Sequence, residues 1–338
     1  MKKFTRLLWA GALAGTLASA LGSAFAADFQ PRIIRFGYGL SEDSNQGHGV
    51  KAFADELARR TGGKLRAKGF ANGSLGSDTQ MQNALLGGAQ EMTAVTTATL
   101  VGIDDAFGVF DLPFVFRDEH EADAILDGSF GTKLAARLES KGLIGLVYWE
   151  NGFRNLTNSK RPITRIEDLQ GIKLRVMQNP MYIDMFNSFG ANAIPLAFTE
   201  LFTALESRTV DGQENPVNTI QSSKFYEVQK YLSITRHVYS PWIVLASKKW
   251  WDGLSADEKK AITEAAVFSR DAERKDSRAA GAKALDALKE KGMQVNTPSA
   301  KELERMQDAA RPAIARFSAN GHADLVKELQ DELAKVRH

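Results

Sequence analysis

A strand–helix alternation that runs from Arg32 to Trp149, then starts again at Gly152, constrains this chain more than any other feature. In the first block, Arg32 to Phe36, Leu65 to Phe70 and Met92 to Thr97 read as strands. Between them Val50, Phe53, Ala54, Leu57 and Ala58 fall at helical spacing, stopped by Gly62-Gly63, and a helix from about Ser77 puts Met81, Ala84 and Leu85 on one face. That order predicts parallel pairing with right-handed crossovers. Phe110 to Phe116 is apolar but interrupted by Pro113, which makes it an edge or loop segment. A helix from about Asp118 then leads to a strand-like Leu143 to Trp149.

In the second block, Gly152 to Thr157, Lys173 to Met177 and the segment before Pro195 alternate with helices. Asn179-Pro180 and Asn215-Pro216 each read as a cap followed by a first-turn proline, and Gly190 closes the first of these helices. Two such blocks predict two α/β lobes with a cleft between them, where ligands sit at the carboxyl ends of strands. Ser255 and Glu258 have capping-box spacing. The helix they start is expected to run to about Lys291, roughly 50 Å at 1.5 Å per residue, as a strut across both lobes. Met293 to Asn296 reads as a late strand, and Lys301 to His338 as a helical tail broken near Pro312.

Within the second block, the run GIKLRVMQNP sets Arg175 in the second half of an apolar strand. A buried guanidinium must find an anion, because an unpaired buried charge is very costly. Its planar fork fits a carboxylate through two parallel hydrogen bonds. From the residues alone two partners fit, an internal carboxylate such as Glu214 or Asp211, or an acid captured from outside.

Lys2, Lys3 and Arg6, the small apolar run Leu7 to Leu21 and the A-x-A motif Ala24-Phe25-Ala26 describe a secretory signal, with the mature chain expected from Ala27. The apolar run is shorter than the ~20 residues of a spanning helix. The whole chain carries 43 Lys+Arg against 41 Asp+Glu, and loss of the signal's three basic residues leaves it about neutral. Nothing in that balance points to nucleic acid or an anionic membrane. The absence of cysteine excludes disulfides and thiolate chemistry. Roughly 310 mature residues exceed what one hydrophobic core accommodates, again implying two domains.

Other constellations fail. GYGLSE after the first strand nearly matches a dinucleotide loop, but Glu42 stands in place of the third glycine and would repel a pyrophosphate. No GxxxxGK[ST] or GxSxG occurs, and the five histidines are scattered singly, so no metal site or cofactor is expected. Asp104-Asp105 and Glu167-Asp168 sit in turn-like or helix-start contexts where acids satisfy free amides. No nucleophile and base come together, so no enzyme is expected.

Taken in order, GFANGSLGS, FDLPFVFRD, YWENGFRNLTNS, DLQGIKLRV, FGANAIPLAFTE and VDGQENPVNTIQSSKFYEVQKYL resemble the solute-binding proteins of TRAP transporters, in the dicarboxylate-type DctP branch. The resemblance spans essentially the whole mature chain, and the wording of YWENGFRNLTNS and the QENP region is similar to members that bind sugar acids and small carboxylates. It implies an α/β, two-lobed periplasmic-binding-protein fold with a hinge and a long helix spanning both lobes. The lobes are expected at 27–150 plus about 239–278, and at 151–238 plus about 279–338, behind a signal peptide at 1–26. It also implies that Arg175 clamps the ligand carboxylate, assisted by Arg154, that Asn215 hydrogen-bonds the same group, and that Phe198 forms an aromatic wall. Thr96 and Thr97 match positions where other members place a polar or acidic specificity residue from the first lobe.

Tyr38, Trp149 and Trp242 are further wall candidates, although composition places such aromatics more often in a core, and Asn215 has an alternative role as a helix cap. The function implied is a monomeric periplasmic protein that captures a small organic acid by cleft closure. It would deliver that acid to the small and large subunits of an ion-gradient-driven TRAP membrane permease. Three alternatives are a ligand-binding protein for an ATP-driven importer, a sensor partner, and an exported enzyme. Neighbouring permease genes and an activity screen discriminate among them.

Overall fold

The computed structural model describes residues 29–337. The expected signal peptide, 1–26, lies outside them, as do the first two residues of the expected mature chain. Among the described residues no helix is long and apolar enough to cross a membrane.

The first block forms β1 (Arg32–Tyr38), α1 (Asn45–Arg60), β2 (Leu65–Phe70), α2 (Asp78–Gly87), β3 (Met92–Thr96), α3 (Glu119–Asp127), α4 (Ser129–Ala136) and β4 (Leu143–Phe153). The second forms β5 (Asn155–Asn158), β6 (Lys173–Val176), α5 (Pro180–Ser188), β7 (Asn192–Pro195), α6 (Phe198–Glu206), β8 (Gly212–Asn215), α7 (Val217–Ser222) and β9 (Tyr231–Ser233). The chain then returns to the first lobe as β10 (Tyr239–Ser247) and α8 (Lys248–Asp252), and continues through α9 (Ala256–Glu290), β11 (Gln294–Asn296), α10 (Ala300–Phe317) and α11 (Ala323–Val336).

Two sheets result, β2-β1-β3-β10-β4 and β11-β9-β5-β8-β6-β7. The expected parallel pairing holds for β1 with β2 and β3, and for β6 with β7 and β8. The first sheet is mixed because β10, which the local pattern does not single out, inserts antiparallel between β3 and β4. Its alternate residues feed opposite faces, Ile243 and Leu245 into one core and Val244 and Ala246 into the other.

Helix starts follow the chemistry of their caps. Ser77 with Gln80, and Ser255 with Glu258, form reciprocal capping boxes. Asn179 Oδ1 accepts from Met181 N at 2.8 Å, with Pro180 as the first helical residue. The other Asn-Pro pair behaves differently. Pro216 precedes α7 with no side-chain cap, because the Asn215 amide is engaged elsewhere.

α9 is 35 residues long, roughly 52 Å, and packs on α1 and β4 of the first lobe and on α7 of the second. Beyond it the tail is not broken at Pro312, which lies inside α10 between the buried Ala310 and Ala313. The break comes at Asn320 and Gly321, where Gly321 takes φ +93°. α10 packs on α5, whereas α11 crosses to α3 and α4, burying Val326, Leu329 and Leu333 in a first-lobe core. The tail therefore serves both lobes, where the sequence reading places 279–338 with the second.

Candidate functional site

The carboxyl ends of the parallel strands in both sheets face one cleft. β1 leads to Gly39 and Leu40, and β3 ends at Thr96, on one side; β6 carries Arg175 and β8 ends at Asn215 on the other. Between the two sides lies about 550 Å³ of space not filled by protein atoms, part of it open to solvent.

Arg175 is 2% exposed and has no carboxylate partner among the described residues. Its Nε and Nη2 donate to the Leu196 carbonyl at 3.0 and 2.7 Å, while Nη1 is buried with no partner. One edge of the fork is thus anchored on backbone, and Nη1 is left without a partner among the described residues in a side chain that lines the cleft. Burial pushes the Arg175 guanidinium down to about 10, so it remains charged at neutral pH. The internal acids that the sequence offers as partners are taken. Glu214 binds Arg154, and Asp211 binds Lys160 at 2.8 Å and accepts from Lys173 N at 2.9 Å.

Arg154 shows the contrast. It sits where the chain passes from β4 to β5, and its backbone N donates to Val238 O at 2.9 Å, so two crossing strands pair there. Its Nε donates to Glu214 Oε2, and its Nη2 donates to Glu214 Oε1 at 2.8 Å, Glu214 O at 2.7 Å and Asn215 Oδ1 at 3.1 Å. Burial opposes its charge, but the Glu214 carboxylate more than offsets this and holds its pKa above the usual value. Glu214 in turn is held below the ordinary carboxylate range, because Arg154 and the His237 hydrogen bond at 3.1 Å overcome the effect of burial. Arg154 is therefore largely a hinge residue, with only its partner-free Nη1 left for an assisting contact. With Arg154 and Glu214 paired to each other, Arg175 is the cleft guanidinium that no carboxylate among the described residues contacts directly.

Asn215 lines the cleft, donates to Gln213 Oε1 at 2.5 Å, and orients Arg154 rather than capping a helix. Phe198 lines it from the first turn of α6, and Thr96 and Trp242 line it from β3 and β10. Thr97, Tyr38 and Trp149 do not reach it. Thr97 is fully buried and donates to Pro241 O at 3.3 Å; the Tyr38 ring packs in the first-lobe core, and Trp149 stacks on Phe36 at 6.0 Å. Thr97 is held by that hydrogen bond, and the two aromatics are drawn inward by the apolar mass around them, which outweighs their proximity to the cleft in sequence.

Sequence reasoning misses Asp78. It opens α2 behind the Ser77 cap, where an acid reads as an ordinary first-turn residue. Its Oδ2 accepts from Thr96 N at 3.1 Å and it lines the cleft across from Arg175. Burial pushes its carboxyl up to about 6, against the pull of the Thr96 amide and Arg175. Gln46 and Asn151 are also cleft residues that no local motif marks.

The family model for bacterial extracellular solute-binding proteins, family 7 (DctP), matches residues 36–320. A sugar acid binding protein of Advenella mimigardefordensis, solved in complex with galactonate, superposes with a TM-score of 0.90 at 51% identity, covering 91% of this chain and 99% of that one. The 2,3-diketo-L-gulonate-binding periplasmic protein YiaO of Escherichia coli K12 is 42% identical over 264 residues, 78% of this chain and 80% of its own length. The C4-dicarboxylate-binding periplasmic protein DctP of Rhodobacter capsulatus is 33% identical over 284 residues, 83% of this chain and 85% of its own.

Proposed function

This chain belongs to the DctP family of bacterial extracellular solute-binding proteins, the periplasmic binding components of TRAP transport systems, and on that premise we propose that its ligand is a sugar acid. The charge distribution in the cleft carries this reading. The lining holds no lysine and no arginine besides Arg154 and Arg175, and Arg154 is already paired. One carboxylate is therefore matched, by Arg175. A second carboxylate at the far end would meet Asp78 and neutral groups such as Gln46, Ser77, Thr96 and Thr99. Those groups suit hydroxyls, which donate to a carboxylate and exchange hydrogen bonds with amides and alcohols.

Relatives with sugar acids in their descriptions, galactonate and 2,3-diketo-L-gulonate, support the same class. Capture proceeds by closure of the two lobes, and the ligand shifts that equilibrium by its differential affinity for the closed state. The protein is exported behind its N-terminal signal, works as a monomer, and presents its closed form to the small and large subunits of an ion-driven permease.

Calorimetric titration with galactonate and with succinate tests the ligand class. Galactonate is expected to bind at least about 100-fold more tightly, the cost of about 3 kcal/mol for leaving a second carboxylate unpaired beside Asp78. Succinate binding as tightly as galactonate refutes the sugar-acid reading and restores a dicarboxylate.

A further inference from the structure

Asn45 and Asn218 stand next in sequence to Gln46 and Thr219, which line the ligand cleft. Successive helical residues point about 100° apart, and the two asparagines turn away from the cleft toward α9. Asn45 begins α1 in the first lobe; Asn218 lies on α7 in the second. Their side-chain nitrogens donate to the same atom, Ser277 Oγ, at 2.9 and 3.3 Å, and Asn218 also donates to Ser277 O at 2.8 Å. One turn earlier on the same helix face, Glu273 Oε1 accepts from Asn45 at 3.2 Å. Both asparagine Oδ1 atoms are buried and without a partner among the described residues, so each amide is held there through its nitrogen alone, and α9 supplies the side-chain acceptors. Ser277 lies where α9 passes from the first-lobe core, which takes Ala265 and Ala266, to the second-lobe core, which takes Leu288.

We propose that Ser277, with Asn45 and Asn218, forms an interlobe clasp that positions the closed state from outside the ligand cleft and sets how long the acid is retained. The clasp rests on the reading that the acid is captured by closure. Neither asparagine lines that cleft, so its effect on affinity runs through the fraction of molecules able to close. Apparent affinity falls in proportion to that fraction.

The test uses the full protein, galactonate as the probe, and the variants Asn218→Ala, Ser277→Ala, Asn45→Ala and Asn45→Ala/Asn218→Ala. Loss of one clasp bond is expected to weaken galactonate binding by about 5- to 20-fold, through faster dissociation with association unchanged. Asn45→Ala and Asn218→Ala should be strongly sub-additive, because either one opens the clasp. If Asn45→Ala does not fold, Ser277→Ala and Asn218→Ala alone decide. A lowered melting temperature with unchanged galactonate affinity overturns the clasp, as does full additivity of the two asparagine variants. Should wild-type protein not bind galactonate, the ligand class above fails. The clasp is then judged by X-ray scattering of ligand-free wild type and Asn218→Ala: a larger radius of gyration in the variant supports it, and identical curves overturn it.

Discussion

Arg175→Ala is expected to weaken binding of the cognate acid by about 2–5 kcal/mol, roughly 30-fold to several thousandfold, with little loss of folding stability. The two halves of that expectation have one cause. The guanidinium is buried, burial depresses its pKa, and its internal partner is a backbone carbonyl rather than an acid. Its charge is therefore maintained at a cost to the ligand-free protein that the ligand offsets. Removing it leaves one carbonyl, Leu196 O, to be satisfied by water in the cleft. Arg175→Lys is expected to fail nearly as badly, since an ammonium cannot bind Leu196 O along one edge and a carboxylate along the other. Titration calorimetry reads the affinity and thermal melting the stability; an Arg175→Ala variant of native affinity defeats the clamp.

Glu214→Ala should have the opposite profile, a loss of about 3–5 kcal/mol of folding stability. Glu214 and Arg154 are 0% and 1% exposed at the side chain, and the carboxylate takes hydrogen bonds from Arg154 and His237. Without it Arg154 is left buried beside a second guanidinium, Arg175, with no carboxylate in direct contact with either. The pH dependence follows in sign. Because the folded-state pKa of Glu214 is depressed, its contribution is present above the ordinary glutamate value of about 4.5 and is lost as pH falls through the folded value. Burial also holds His237 below its usual value despite Glu214, so it is neutral at pH 7 and donates from Nε2. Urea unfolding at pH 7 measures the loss, and a variant within about 1 kcal/mol of wild type contradicts the assignment.

Much of this architecture is legible in the chain because its signals are local. The strand at Leu65 to Phe70, the Ser77 and Ser255 capping boxes and the Asn179-Pro180 start each depend on residues within a turn of one another. The misreadings share the opposite property. β10 takes its place between β3 and β4 only because the chain returns from the second lobe, a partnership about 90 to 150 residues distant that no window contains. Asn215 has the sequence of a helix cap, yet a hydrogen bond from Arg154, sixty-one residues away in sequence, claims its oxygen. Pro312 removes one backbone donor from α10, but the helix is held on α5 through Met306 and Ala310 and continues past it.

The site divides along the same line. Arg175 announces itself, since a guanidinium in an apolar strand demands an anion. The local sequence does not show that Glu214 would be consumed by Arg154, leaving Arg175 without an internal carboxylate in contact. Asp78 is hidden by its own ordinariness, and Trp149 and Tyr38 advertise more than they deliver because large aromatics serve the core first. The clasp residues 45, 218 and 277 carry no motif at all; only the path of α9 brings them together.

The most direct test of the central claim is a crystal structure of the complex with galactonate. The carboxylate is expected within about 3 Å of Arg175 Nη1 and Nη2, with the Leu196 contact retained and the hydroxyls directed toward Asp78 and Thr96. A complex with the carboxylate held at the first-lobe side and Arg175 Nη1 still without a partner would contradict it.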